Sequence, residues 1–199
     1  MRIISGKARG IRLKAVDDPL LRPTEDRVKE SMFSTLGDLT GKVVVDLFAG
    51  TGALGLEALS RGAARVVFVE KEREHIVCME ENLRAVRKSI GDGCGETEIL
   101  HCDVRSAHRR LREMGLPVDV VVADPPYHVT ERFPYCGAEL LQDAEFAAWA
   151  KYPVLLCLEH GADARFAWEK TPWQLLTGRT FGIRAISFAK RRETMEGEA

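Results

Sequence analysis

The sequence predicts an α/β fold: a seven-stranded, mostly parallel sheet covered by helices on both faces, its last strand antiparallel, preceded by a small basic β-hairpin and a helix. Three observations predict it. From residue 42 onward, near-continuous apolar runs alternate with amphipathic stretches, the pattern of strands buried on both sides. A glycine turn, Asp46-Leu47-Phe48-Ala49-Gly50-Thr51-Gly52-Ala53-Leu54-Gly55, follows the first run and opens the first helix behind it. The last two runs, Trp173–Thr177 and Phe181–Ala189, have only Thr177-Gly178-Arg179 and nearby residues between them, so they pair as an antiparallel hairpin at one edge.

Taken in order, Ile3-Ile4 and then Ile11, Leu13 and Ala15 alternate with Arg12 and Lys14 around Ser5-Gly6 and Gly10, which is a hairpin pattern. Thr24 ahead of Glu25 and Asp26 is an N-cap with acids on the positive end of the helix dipole. Val28, Met32, Phe33 and Leu36 recur at helical spacing, predicting a helix over about 25–37 that Gly37 and Gly41 end. Strands follow at Val43–Val45, Val66–Val69, Ile99–Leu100, Val118–Ala123 and Val154–Leu158. Helices are expected near 53–61, 72–88 and 105–114, and one from Ala138 to Ala150. Residues 1–38 read as an extension of a single domain at 39–192, and the polar tail 193–199 is expected to be disordered.

At 199 residues the chain can bury roughly 70% of its unfolded surface around one core. With 45% hydrophobic and 30% charged residues it is neither disordered, collagenous nor a coiled coil. No uncharged apolar run is long enough to span a membrane, and the start MRIISGKARG lacks a signal-peptide core, so a cytoplasmic location is expected. The five cysteines (78, 94, 102, 136, 157) form no C-x-x-C pair, so no zinc or other metal and no disulfide framework is expected. A net charge of -1 argues against a general nucleic-acid binder. The basic residues are unevenly placed, however. Arg2, Lys7, Arg9, Arg12 and Lys14 fall within residues 1–16 with no acid, leaving -6 for the rest.

Gly50, Gly52 and Gly55 satisfy G-x-G-x-x-G, and Glu70, at the end of the second strand, can accept both ribose hydroxyls of a nucleoside. Those features suit NAD equally. Asp46 discriminates, because a carboxylate beside the turn repels a pyrophosphate but attracts the ammonium and sulfonium groups of S-adenosylmethionine. The alternative role for Asp46 is to cap the next helix, and Asp103 has the same two readings, an adenine contact or a cap. With flanking residues the candidate cofactor set is Asp46, Phe48, Gly50, Gly52, Ala53, Glu70, Lys71, Asp103 and Val104. S-adenosylhomocysteine is the expected product.

The fourth strand runs directly into Asp124-Pro125-Pro126-Tyr127, at the carboxyl edge where open α/β sheets bind ligands. The prolines fix φ and remove donors, leaving the Pro125 carbonyl as an acceptor beside the Asp124 carboxylate. Two acceptors side by side suit an –NH₂ group, and Tyr127 offers a face on which a base stacks. Hydrogen bonds from the amine turn its lone pair out of the ring plane and stabilise the charge that develops on attack at a methyl carbon. No metal and no covalent enzyme intermediate is needed. Asp119, at the strand's other end, is too far away to join in, and Glu159-His160 after the fifth strand is read as structural.

Five βα units ending in a hairpin, with Asp-Pro-Pro-Tyr after the fourth strand, resemble the Rossmann-like class I S-adenosylmethionine-dependent methyltransferases of exocyclic amines. RIISGKARG at 2–10, Arg22-Pro23-Thr24-x-x-Arg27-Val28-Lys29-Glu30 and DLFAGTGALGLEALSRGA at 46–63 make the chain similar to the bacterial 16S ribosomal RNA guanine-N2 methyltransferases of the RsmD type. This resemblance implies methylation of guanine 966 of 16S rRNA in an assembled small ribosomal subunit by a monomer. It also makes Arg2, Lys7, Arg9, Arg12, Lys14, Arg22, Thr24, Arg27 and Lys29 candidate RNA contacts. Two alternatives stay open at this point: an amine methyltransferase for DNA adenine or cytosine or for a protein glutamine, and a non-catalytic nucleotide-binding module.

Overall fold

β1 (Val43–Leu47) sits in the middle of the sheet because Val-Val-Val-Asp-Leu is buried over four of its five positions, a pattern only a strand covered on both faces can use. The computed structural model describes residues 1–16, 26–127, 129–131, 135–150 and 154–192. Ahead of β1 lies α1 (Asp26–Leu36), whose Val28, Met32 and Phe33 are buried. Beyond it follow α2 (Ala53–Ser60), β2 (Arg65–Glu70), α3 (Arg73–Ile90), β3 (Glu96–His101), α4 (Val104–Met114) and β4 (Val120–Ala123). The chain continues through α5 (Gly137–Gln142), α6 (Ala144–Trp149), β5 (Leu155–Gly161), β6 (Trp173–Phe181) and β7 (Arg184–Arg191).

The strands order as β3-β2-β1-β4-β5-β7-β6, parallel through the first five, with β7 antiparallel to β5 and to β6. This is the class I methyltransferase sheet. The order reverses between β1 and β4, and at such a switch point two neighbouring loops diverge to opposite faces and leave a crevice. One face of the sheet shares its core with Ile3, Ala8 and Leu13 of the N-terminal segment and with α1, α2 and α3. The other packs against α4, α5 and α6 around Leu111, Leu140 and Phe146.

Three local expectations change. The link expected at Thr177-Gly178-Arg179 is strand: β6 runs on to Phe181 and the hairpin turns at Gly182-Ile183, where Gly182 takes φ 58°. The helix expected from Ala138 to Ala150 is two helices, broken at Asp143, which adopts φ -69 and ψ 107. Its carboxylate accepts the Phe146 N–H at 2.8 Å and the Tyr135 hydroxyl at 2.7 Å, so a mid-pattern Asp stops one helix and caps the next. The N-terminal hairpin is a single antiparallel bridge, Arg2 to Arg12, around an irregular tip. That tip is shaped by α2. Ser60 takes the Ala8 and Lys7 N–H groups and donates to the Ser5 carbonyl, and a Cβ on Gly6 would stand 2.0 Å from the Ser60 carbonyl oxygen. The tail 193–199 lies outside the described residues, and among those described no helix is long and apolar enough to cross a membrane.

Candidate active site

A cavity of about 1240 Å³ opens over the carboxyl ends of the five parallel strands. Each strand delivers the residues just past its end: Phe48 and Gly50 after β1, Glu70 and Lys71 at β2, Asp103 after β3, Asp124 to Tyr127 after β4, and Asp163 after β5. The N-terminal segment closes one side with Met1, Ala15 and Val16, and the β6–β7 turn another with Ile183.

The glycine loop borders the cavity with Phe48, Ala49, Gly50 and Thr51. Gly50 and Gly52 have φ of 54° and 86°, and the Gly52 N–H closes the turn on the Ala49 carbonyl at 2.7 Å. Phe48 holds φ 58°, a strained value for a non-glycine residue, and lines the cavity beside Tyr135, ring centroids 6.3 Å apart. Gly55 must lack a side chain because a Cβ would meet the Phe68 ring at 2.3 Å, bringing α2 close onto β2.

Glu70 ties this loop to the next. One carboxylate oxygen accepts the Gly50 N–H at 2.7 Å, the other the Lys71 and Glu72 N–H groups at 2.8 Å, with His75 Nδ1 at 3.5 Å. Burial pushes the carboxyl up, but the hydrogen bonds from His75, Glu72 and Gly50 outweigh it and hold it below its ordinary value. The oxygen facing Gly50 accepts a single backbone bond, so a lone pair remains on it.

Asp46 stands differently from its first expectation. It does not line the cavity, and neither does Gly52. Its carboxylate is buried behind the loop and accepts the Gly55 N–H at 2.7 Å, capping α2 from inside the sheet. The Asp46 carboxylate thus takes one of the amides at the α2 N-terminus, the Gly55 N–H. Burial drives the Asp46 carboxyl up to about 7, with the Glu70 charge adding and the Gly55 hydrogen bond opposing. The folded state therefore holds this proton more tightly than the unfolded chain, and stability falls as pH rises from about 4 through about 7. Asp46→Asn keeps an acceptor for Gly55 without the charge, so it should be more stable than the unsubstituted protein at pH 8, by up to about 4 kcal/mol, and not at pH 4. Urea unfolding at both pH values checks this; parallel pH profiles would contradict it.

Asp124, Pro125, Pro126 and Tyr127 all line the cavity as expected. Tyr127 is held from behind: its hydroxyl donates to Glu159 Oε1 at 2.9 Å, and the same oxygen accepts Arg184 Nη1 at 2.6 Å. The Arg184 guanidinium carbon also lies 6.0 Å from the Tyr127 ring centroid. Burial and the negative charges of Glu159 and Asp124 push the Tyr127 hydroxyl far up, so it works as a fixed donor and its ring as a platform. Asp103 lines the cavity yet spends its carboxylate on the Arg105 N–H and guanidinium, so it is a helix cap with one flank open. Asp119 accepts the Val43 N–H and Lys42 at 2.9 Å, fastening the start of β1, which agrees with its distance from the site.

The family described as Conserved hypothetical protein 95 matches residues 1–190, and a Haemophilus influenzae protein, Ribosomal RNA small subunit methyltransferase D, is 32% identical over 92% of this chain and 90% of its own. The chain belongs to this methyltransferase D family. The Escherichia coli protein of that name is 38% identical over 64% of this chain, a match spanning 60% of its own length. Among solved structures the Escherichia coli protein yhhF superposes with a TM-score of 0.72 at 29% identity, covering 98% of this chain and 99% of that one.

In this methyltransferase D fold the basic candidates divide sharply. Arg2, Lys7, Arg9, Arg12, Lys14 and Arg27 are exposed. Arg2 pairs with Asp26 at 3.1 Å and Lys14 with Glu81 at 2.8 Å, exposed pairs that a phosphate can displace, and Arg27 lies over the Phe181 ring. Arg22 and Thr24 lie outside the described residues. Lys29 is a correction: it is fully buried, its ammonium donating to the Arg2 carbonyl 3.5 Å from Glu57, so it contacts no RNA. Burial pulls its ammonium below the ordinary lysine value, with Glu57 opposing. Sequence reasoning missed Glu57, Arg184 and Tyr135. For Glu57 a signal existed, a carboxylate in the otherwise apolar helix ALGLEALS; Arg184 and Tyr135 carried none.

Proposed function

We propose that this chain transfers a methyl group from S-adenosylmethionine to the exocyclic N2 amine of one guanine, guanine 966 of 16S rRNA in the assembled small subunit. The observation that carries it is a single cavity with a glycine loop and Glu70 on one side and Asp124, Pro125 and Tyr127 on the other. A nucleoside and a base amine thus meet in one enclosure.

The residues fit the cofactor. An adenosine finds Phe48 and Tyr135 rings, the free lone pair of Glu70 and the open flank of Asp103, while a pyrophosphate would sit over a loop backed by the Asp46 carboxyl. S-adenosylmethionine supplies a methyl carbon made electrophilic by its sulfonium. Asp124 and the Pro125 carbonyl accept the two amine protons, turning the nitrogen lone pair towards that carbon and stabilising the positive charge that grows there. Tyr127, braced by Glu159 and Arg184, fixes the plane of the base. After transfer the excess proton on nitrogen passes to Asp124 or to water.

The N-terminal segment brings RNA-binding charge to the same place. Met1, Ala15 and Val16 line the cavity, which puts the adjoining Arg2 and Lys14 by its rim, and Asn82 bonds both Lys14 and the Thr51 carbonyl of the glycine loop; Lys7 and Arg9 extend the basic surface to the segment's tip, against Ser60 at the far end of α2. The partner is 16S rRNA in the small subunit, reached in the cytoplasm by a monomer, with residues 1–38 acting as an extension of the catalytic domain.

Glu70→Ala should weaken binding of S-adenosylhomocysteine by about 1–3 kcal/mol, read by calorimetry. Unchanged affinity would move the ribose elsewhere. Binding of NAD in place of S-adenosylhomocysteine would favour the nucleotide-binding module, and methyl transfer to DNA or to a protein glutamine the other amine substrates.

A further inference from the structure

We propose that Asp163 selects guanine, accepting the N1–H beside the amine that Asp124 and the Pro125 carbonyl hold. The inference rests on the base-methylation reading above and adds what that reading lacks, a reason for guanine. Two acceptors for an –NH₂ group serve adenine, cytosine or a glutamine amide equally well. The neighbouring atom differs. In guanine the amine stands next to a donor, N1–H; in adenine and cytosine it stands next to a ring-nitrogen acceptor, and in glutamine next to a carbonyl. A carboxylate placed beside the amine site therefore bonds guanine and repels the other three.

Asp163 brings a carboxylate to the Tyr127 side of the same cavity. It lines the cavity just past β5, on the side of Tyr127. A Cβ on Gly161 would lie 2.6 Å from Asp163 Oδ1 and 3.6 Å from the Tyr127 ring edge, so carboxylate and ring flank one point above Gly161. A base stacked on Tyr127 presents its edge there. The turn that carries Asp163 is braced on both sides. The Ala162 N–H donates to the Ile183 carbonyl at 2.9 Å and the Ala164 N–H to the Gly161 carbonyl at 3.1 Å. Arg165 donates to the Ala162 and Ala164 carbonyls at 3.1 Å. The turn backbone is held while the Asp163 side chain itself is exposed, and a base with a lone pair in place of N1–H leaves its carboxylate facing a repulsive partner.

The experiment compares small-subunit particles carrying guanine or 2-aminopurine at the target position; 2-aminopurine keeps the 2-amine but has a bare N1. The unsubstituted protein should prefer guanine. Asp163→Ala should lose about 10- to 100-fold in kcat/KM on guanine while 2-aminopurine is methylated as fast or faster, collapsing the preference. Asp163→Asn, whose carbonyl still accepts, should restore part of it. Affinity for S-adenosylhomocysteine and the melting temperature serve as folding controls and should not move. Equal loss on both bases, or none on guanine, overturns the selection role while methylation of guanine by the unsubstituted protein stands. Transfer to neither base by the unsubstituted protein overturns the function reading itself, and this inference with it.

Discussion

Replacing Asp124 by alanine is expected to cut methyl transfer by about 10²- to 10⁴-fold while leaving affinity for S-adenosylhomocysteine within about twofold. The two effects separate because Asp124 stands past β4, whereas the groups proposed to hold the nucleoside lie past β1, β2 and β3. An exocyclic amine is a weak nucleophile, and half of the acceptor pair that reshapes it disappears with the carboxylate. The Pro125 carbonyl remains but bonds only one proton. Asp124→Asn should fall between, since its carbonyl accepts a hydrogen bond but cannot take up the proton that transfer releases. Single-turnover rates beside calorimetric affinities make the distinction, and an active Asp124→Ala would remove the carboxylate from the chemistry.

The second large effect is on stability. Glu57→Ala should destabilise the protein by about 3–5 kcal/mol, lowering the melting temperature by roughly 10 °C. Glu57 is fully buried and accepts the Ile4 N–H at 2.7 Å, the Ser5 N–H at 3.0 Å and Arg61 at 2.8 Å, with Lys29 at 3.5 Å. Removing it strands a buried ammonium and two backbone donors at once. The loss should be felt first in the N-terminal segment, which Glu57 and Ser60 staple to α2, so its amides should exchange hydrogen faster than those of β1. A change below about 1 kcal/mol would mean that the segment is held by its apolar contacts, Ile3, Ala8 and Leu13, instead.

Much of this was legible in the sequence because the signals were local. Apolar runs placed every parallel strand, and the shortness of the link between the last two runs placed the antiparallel edge, although its turn falls at Gly182-Ile183 and not at Thr177-Gly178-Arg179. The glycine loop, Glu70 and Asp124 to Tyr127 were legible because chemistry at strand ends repeats with the βα unit. What stayed hidden depends on contacts between distant residues. Lys29 lies in a helix of ordinary charge, and only the fold shows that its side chain points at Glu57, twenty-eight positions on. Arg184 joins Tyr127 through Glu159 only because β7 pairs with β5. Asp46 had two roles open from sequence, and its burial behind the loop favours the cap. Asp143 was visible but ambiguous, since an aspartate can sit on a helix surface or end it.

The central claim, a guanine-N2 methyltransferase of the small subunit, is tested most directly by incubating the protein with labelled S-adenosylmethionine and four acceptors. These are naked 16S rRNA, assembled small-subunit particles lacking the modification, duplex DNA and a glutamine-bearing protein substrate. One labelled guanine, at N2, is expected in the assembled particles and none in DNA or protein. Label in DNA or protein, or no label in any RNA, would contradict it.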